Sequence, residues 1–212
     1  MPKVAVIVFH KNIGNYPTDW IAGCVDSILN QTHKDFEIFE LDYGGDGIQI
    51  FENSNFASVK LNNHAEAHNF LLDEVFRLGY DCAFNVNIDD RYTPDRIEKQ
   101  LPYIEKGYDV ISSNFYNIDE NNVIIDRMEM HPLDMIAEAN RGHNIIAHPV
   151  CCYSKKFWTT CTKLNGDQIP KDDFELWKRS YDSGKYKFII LPDYLLYYRV
   201  HSKKVSNEGQ WK

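Results

Sequence analysis

The chain has 212 residues, against roughly 150 for a typical domain, so one large domain is expected, with a core that needs no disulfide or metal staple. Lys and Arg total 23 against 31 Asp and Glu, a net charge of −8, which excludes a polyanion-binding surface and predicts no nucleic-acid partner. Hydrophobic residues at 43% and charged residues at 25% exclude a disordered chain.

The longest unbroken apolar run, Val4 to Phe9, is six residues, far short of the roughly 20 that span a bilayer. No basic segment followed by an apolar stretch opens the chain. The expectation is a soluble, cytoplasmic protein without a transmembrane segment or secretory signal. Five cysteines, Cys24, Cys82, Cys151, Cys152 and Cys161, lack ligand spacing and are expected to be reduced and buried, with Cys151 and Cys152 on opposite faces of a strand.

In chain order, Val4 to Phe9 is rich in β-branched residues and reads as a buried parallel strand. Trp20, Ile21, Cys24, Val25, Ile28 and Leu29 share one face of a helix over 18–30, with Thr18 or Asp19 as N-cap. Phe36 to Leu41 is a second strand, closed by the turn-rich Asp42 to Gly47. Val59 to Leu61 is a short third strand. A helix from His64 to Leu78 stops at Gly79. Ala83 to Ile88 is a fourth strand. Thr93 as N-cap and Pro94 at the first helical position then open a helix that ends near Gly107. Val110 to Asn114 is a fifth strand. The second half is less regular: hairpin strand Val123 to Met130, strand Ala147 to Tyr153, a short helix from Ser154, a helix over 172–183, and strands Lys187 to Leu191 and Tyr194 to Val200.

Alternation of strand and helix predicts an α/β fold, a mostly parallel Rossmann-like sheet with helices on both faces. Such sheets bind ligands beyond the carboxyl ends of their strands. The candidates there are His10 to Asn12, Asp42 to Asp46 and Asn87 to Arg91.

Asn87-Ile88-Asp89-Asp90-Arg91 sets hard oxygen donors at a strand end, suited to magnesium or manganese. Such an ion would bridge the phosphates of a sugar nucleotide, although a plain turn that caps the following helix has the same composition. Asp172-Asp173-Phe174-Glu175-Leu176-Trp177 begins a helix, where carboxylates also serve the macrodipole; the functional alternative is a general base. Asp42 suits either turn formation with Gly44, Gly45 and Gly47 or a bond to a nucleobase imide. His201 can serve as a metal ligand only if the last strand returns to the Asp89 loop. Trp158, Trp177, Tyr197 and Tyr198 suit either a sugar-stacking wall or core packing. Arg141-Gly142-His143, on the acceptor side, is a candidate lid.

Taken together, the order and spacing of these blocks resemble the family 2 glycosyltransferases of the GT-A fold. Val4 to Asn12 is similar to the family's opening strand and turn. Ser27-Ile28-Leu29-Asn30-Gln31-Thr32-His33-Lys34-Asp35-Phe36-Glu37-Ile38 is similar to its S-[VIL]-L-x-Q-T-x-x-[DN]-[FIW]-E-[IL] segment. Asn87 to Pro94 resembles the region of its DxD metal motif. Asp172 to Trp177 resembles its Glu-Asp-x-Asp-Leu-Trp block, and Tyr197-Tyr198-Arg199-Val200-His201 its last strand.

The resemblance covers roughly 3–207 and implies one domain over 1–212, with a nucleotide-sugar half (1–115) and an acceptor and base half (116–212). It implies inverting transfer of a sugar from a nucleotide-sugar, usually a UDP-sugar, to a glycan or other hydroxyl acceptor with Mn or Mg. The donor would be held by Phe9, His10, Asn12, Asp42, His68, Asn87, Ile88, Asp89, Asp90 and Arg91. Asp89 and His201 would hold the metal, and Asp173 would be the general base. Asp172, Trp177 and His148 would lie on the acceptor side.

Three positions depart from the family pattern. Asn87 replaces the first Asp of DxD. Tyr43 replaces an acidic residue after the second strand. His68 replaces the Arg of Ala-Arg-Asn, exchanging a fixed cation for a titratable one; Arg91 is then a candidate for the missing charge. These departures keep open a non-catalytic nucleotide- or glycan-binding module. A sugar nucleotidyltransferase would need a Gly-rich basic loop after the first strand, which Phe9 to Gly14 does not supply. The small size also suits a module of a longer polypeptide.

Overall fold

The computed structural model describes residues 1–130, 144, 146–161 and 163–202; the Arg141 to His143 lid candidate lies outside them. In the first half, β1 (Val4–His10), β2 (Phe36–Asp42), β3 (Asn55–Ser58), β4 (Cys82–Val86) and β5 (Arg91–Tyr92) alternate with α1 (Thr18–Leu29), α2 (His64–Arg77) and α3 (Arg96–Glu105). Then come β6 (Val110–Ile118), β7 (Ile124–Met128), β8 (Cys152–Ser154), α4 (Lys155–Thr160), α5 (Asp172–Asp182) and β9 (Phe188–Arg199).

The strands form one sheet in the order β3-β2-β1-β4-β8-β6-β9-β5, with β7 paired to β6. Strands β1 to β4 pair in parallel, as do β6 and β9. Antiparallel β8 joins the two parallel groups by pairing with β4 and β6.

Alternation along β1 builds two cores. Val4, Val6 and Val8 pack with Cys24, Ile28 and Ile97 on the α1 and α3 side. Ala5 and Ile7 pack with Leu71, Trp158 and Trp177 on the side of α2, α4 and α5. Cys151 and Cys152 fall into different cores, as the strand period requires. Cys161 is only half-buried, so the expectation of five buried thiols fails there.

Several boundaries differ from the sequence expectation. The third strand is Asn55–Ser58; Val59 and Leu61 still run beside β2, donating to the Asp42 and Tyr43 carbonyls. Pro149 has no N–H to give a ladder, so residues 148–150 form a 3-10 turn before β8. The two expected last strands are one strand, β9, whose pairing with β6 skips Pro192 and Asp193, a placement that suits proline at a bulge. Residues 93–95 form a turn, Arg96 N bonding Thr93 O at 3.2 Å, and α3 starts after them. Neither Thr18 nor Asp19 caps α1; Pro17 stands at that position without a side-chain bond.

Candidate active site

The chain runs from β1 outward to β2 and β3, then returns to place β4 on the other side of β1. This reversal opens a crevice at the carboxyl ends of β1 and β4. A cavity of about 530 Å³ lies there, within the usual size of small-molecule sites. Phe9, His10 and Lys11 line it after β1, and Asn87, Ile88 and Asp89 after β4. From the second half come His148, Asp172, Asp173, Tyr198 and His201.

On one side, His201 Nε2 lies 2.9 Å from Asp89 Oδ2. The returning strand is held by buried Arg199, whose backbone N donates to Asp90 Oδ1 at 2.8 Å and whose Nε donates to the Asp89 carbonyl at 2.9 Å. The same guanidinium donates to the carbonyls of Asp119 and Glu120 and stacks over Trp20 at 4.7 Å. The Trp20 ring in turn lies 4.9 Å from His201. Burial, with Asp89 as the next cause, pushes Tyr16 up to about 12.

The same cavity is lined by the carboxylate pair at the start of α5. Asp172 is buried, with His64 Nε2 3.1 and 3.3 Å from its two oxygens. Burial, the largest influence, opposes its charge, but the bond and charge of His64 with the nearby His148 together keep its pKa below the ordinary carboxylate value. Asp173 is held by the Asn144 side chain at 2.7 Å and by the Phe174 backbone N–H. Loss of hydration, then the neighbouring Asp172 charge, pushes Asp173 up to about 6, where a carboxyl group can take protons near neutrality.

Other predicted residues are placed differently. The Asp42 carboxylate accepts bonds from Gly44 N, Gly47 N and Ser58 Oγ and does not line the cavity. His10 lines it but bonds buried Glu40 at 3.0 Å, a pairing the sequence did not suggest. Asn12 is exposed in the left-handed conformation at φ 52°. Asn87 directs its amide to Asp90 at 3.3 Å. Buried Asp90 bonds the Arg199 backbone. Arg91 is exposed against Gly23, not in the cavity, so it does not supply the missing charge there.

His68 is fully buried among Phe9, His148, Tyr153 and Trp158. Burial drives its pKa well below the ordinary value, so it is a neutral core residue and not a titratable cation. His148 reaches the cavity, and burial lowers it to about 4. Trp158 and Trp177 are core residues. Of the four aromatics suggested as a wall, Tyr198 alone lines the cavity. Lys11, within the predicted His10 to Asn12 stretch, is the one Lys or Arg among the described lining residues, and its amine lies 5.5 Å from the Tyr43 ring centre.

Among the described residues, no three His, Cys, Asp or Glu side chains converge as a complete metal cage. Asp89 and His201 do offer a carboxylate and an imidazole at one point of the cavity wall. That set fits a hard dication which takes its other ligands from substrate phosphates and water. Among the described residues, no helix is long and apolar enough to cross a membrane.

No family model matches the chain. It is 27% identical over 199 residues to the Escherichia coli O-antigen biosynthesis glycosyltransferase WbnJ, covering 87% of this chain and 76% of that protein. It is 28% identical over 217 residues to the E. coli UDP-Glc:alpha-D-GlcNAc-diphosphoundecaprenol beta-1,3-glucosyltransferase WfaP, covering 97% and 80%. In fold it is similar to S. aureus TarS 1-349 with UDP-GlcNAc, at a TM-score of 0.71 and 13% identity over 98% of this chain, and to the UDP complex at 0.69 and 14% over 93%. The chain spans 60–61% of those TarS chains. In sequence it is thus a relative of glycosyltransferases and in fold it matches TarS, consistent with a family 2 glycosyltransferase of the GT-A architecture.

Proposed function

We propose that the chain is an inverting glycosyltransferase that moves a sugar from a UDP-sugar to a hydroxyl of a glycan or other acceptor. The observation that carries this reading is that two unlike sites line one cavity: Asp89 with His201, and Asp173, pushed up to about 6. UDP stands in the name of WfaP and in the TarS complexes, which supports a uridine donor.

Asp89 and His201 would hold Mn or Mg, which when bound supplies positive charge to the departing diphosphate, an effect worth several kcal/mol in general. Lys11 adds a protein cation to the lining of the same cavity. Asp173 takes the proton of the acceptor hydroxyl as its oxygen attacks the anomeric carbon, and the carbon–oxygen bond to the diphosphate breaks on the opposite face. Asn144 and the Phe174 N–H fix the Asp173 carboxylate, and such a placed base contributes about 10²- to 10⁴-fold.

The test is UDP release from a panel of UDP-sugars, with and without manganese, in the wild type and in Asp173→Asn. Metal-dependent release that Asp173→Asn abolishes while UDP still binds supports the assignment. Near-normal turnover by Asp173→Asn would remove Asp173 as the base.

A further inference from the structure

At the rim of the cavity, the first turns of two helices meet across a separation of 108 residues. His64 opens α2 and Asp172 opens α5. The His64 side chain is 22% exposed and the Asp172 side chain 4%, so the bond between them is shielded from water on one side and accessible on the other. Asp172 adjoins Asp173, and all three side chains line the cavity.

Two adjacent carboxylates facing one space compete for a single proton, because the charge of one disfavours ionisation of the other. A partner that engages both oxygens of one carboxylate breaks that symmetry. We propose that His64 is a positioning residue, which clamps Asp172 and so leaves Asp173 as the one carboxylate free to accept the acceptor proton. The inference rests on the base assignment above and goes beyond it by assigning a role to a histidine outside every motif block.

The groups facing this pair are His68 on α2, Asp173 on α5 and His148 on the 3-10 turn before β8; Lys11, Asp89 and His201 line the same cavity. Burial is the largest influence on Asp172 and opposes its ionisation; the His64 bond and charge, with smaller help from His148, together outweigh it. The same imidazole acts on Asp173 in the lowering direction, against burial and the Asp172 charge. Without His64, the Asp172 charge faces Asp173 with less compensation, and Asp173 holds its proton to higher pH. A purely structural pair, tying α2 to α5, would lower stability without moving that titration.

The experiment is a carboxyl ¹³C NMR titration of Asp173 in the full, ligand-free chain, with Asp173→Asn assigning the resonance. The wild-type midpoint is expected at about 6. His64→Ala should raise it by about 0.5 unit or more, and His64→Lys should bring it back. In turnover assays the acid limb of the pH profile should move with it, costing about twofold at pH 6, about threefold below pH 5 and little on the alkaline plateau. A His64→Ala midpoint unchanged within about 0.2 unit, in protein that melts cooperatively, overturns the proposal. If His64→Ala does not fold, His64→Leu, which fills the space but removes every ring nitrogen, decides by the same criterion. Turnover by Asp173→Asn reports on the base assignment separately. Its loss together with an unmoved midpoint rejects the His64 role alone.

Discussion

His201 Nε2 lies 2.9 Å from Asp89 Oδ2 across 112 residues of chain. The contact exists because β9 runs parallel to β6 and ends beside the loop after β4. Arg199, two residues earlier, holds that loop at two points: its Nε donates to the Asp89 carbonyl and its backbone N to the Asp90 carboxylate. Removing this clamp frees Asp89 and His201 to separate. Arg199→Lys keeps the charge but not the fork of donors. It should weaken metal-dependent UDP binding about tenfold by calorimetry, while metal-free binding changes little.

As the proposed base, Asp173 would couple activity to stability through pH. Its folded pKa of about 6 lies above the ordinary carboxylate value of 3.8. Above pH 6 the folded state holds a poorly hydrated charge that the unfolded state solvates well, so this group lowers stability there. As pH falls through 6 the folded state binds the proton first, and the cost disappears by about pH 4. Asp173→Asn should therefore raise unfolding free energy at pH 8 by up to about 3 kcal/mol, with little gain near pH 4, in denaturant titrations at both pH values. Transfer by the wild type should decline below pH 6, following the ionised fraction.

Gln31 tests the structural share of the strongest motif match. Its Oε1 accepts from Ile97 N at 3.1 Å, and its Nε2 donates to Ser27 O and Thr93 O. Gln31 thus satisfies an orphan N–H in the first turn of α3 and ties α1 to the segment after the Asp89 loop. Gln31→Ala should cost about 1–3 kcal/mol through the buried groups left unpaired, read as a lower urea midpoint with UDP affinity per folded molecule retained.

Trp177 separates core packing from sugar stacking. It is fully buried beside Tyr153, with ring centres 6.0 Å apart. Trp177→Ala should lose about 3–5 kcal/mol, whereas Trp177→Phe should fold and keep turnover within a few-fold. A specific loss of turnover in well-folded Trp177→Phe would contradict the core assignment.

Much of this was legible in the sequence. β1, α1, β2, α2 and β4 follow from apolar period and from breakers such as Gly79. The approach of His201 to Asp89 was conditional on the last strand returning, and it does return. What the sequence hid depends on side-chain direction at long range. Asp42 has the right position after β2, but Ser58, Gly44 and Gly47 engage its carboxylate. His68 sits in the right motif block but points into an aromatic core, where a charge is too costly. His64 lies outside every motif block, and Arg199 stands in the last-strand block without a role assigned to it; what they do appears only when α2 meets α5 and β9 meets the Asp89 loop.

Calorimetric titration of UDP into the full chain, with and without manganese, tests the donor site most directly. The expected result is binding that strengthens with the metal and loses that dependence in Asp89→Ala. No UDP binding under either condition, or binding indifferent to both manganese and Asp89→Ala, would contradict a metal-assisted uridine donor site at Asp89 and His201.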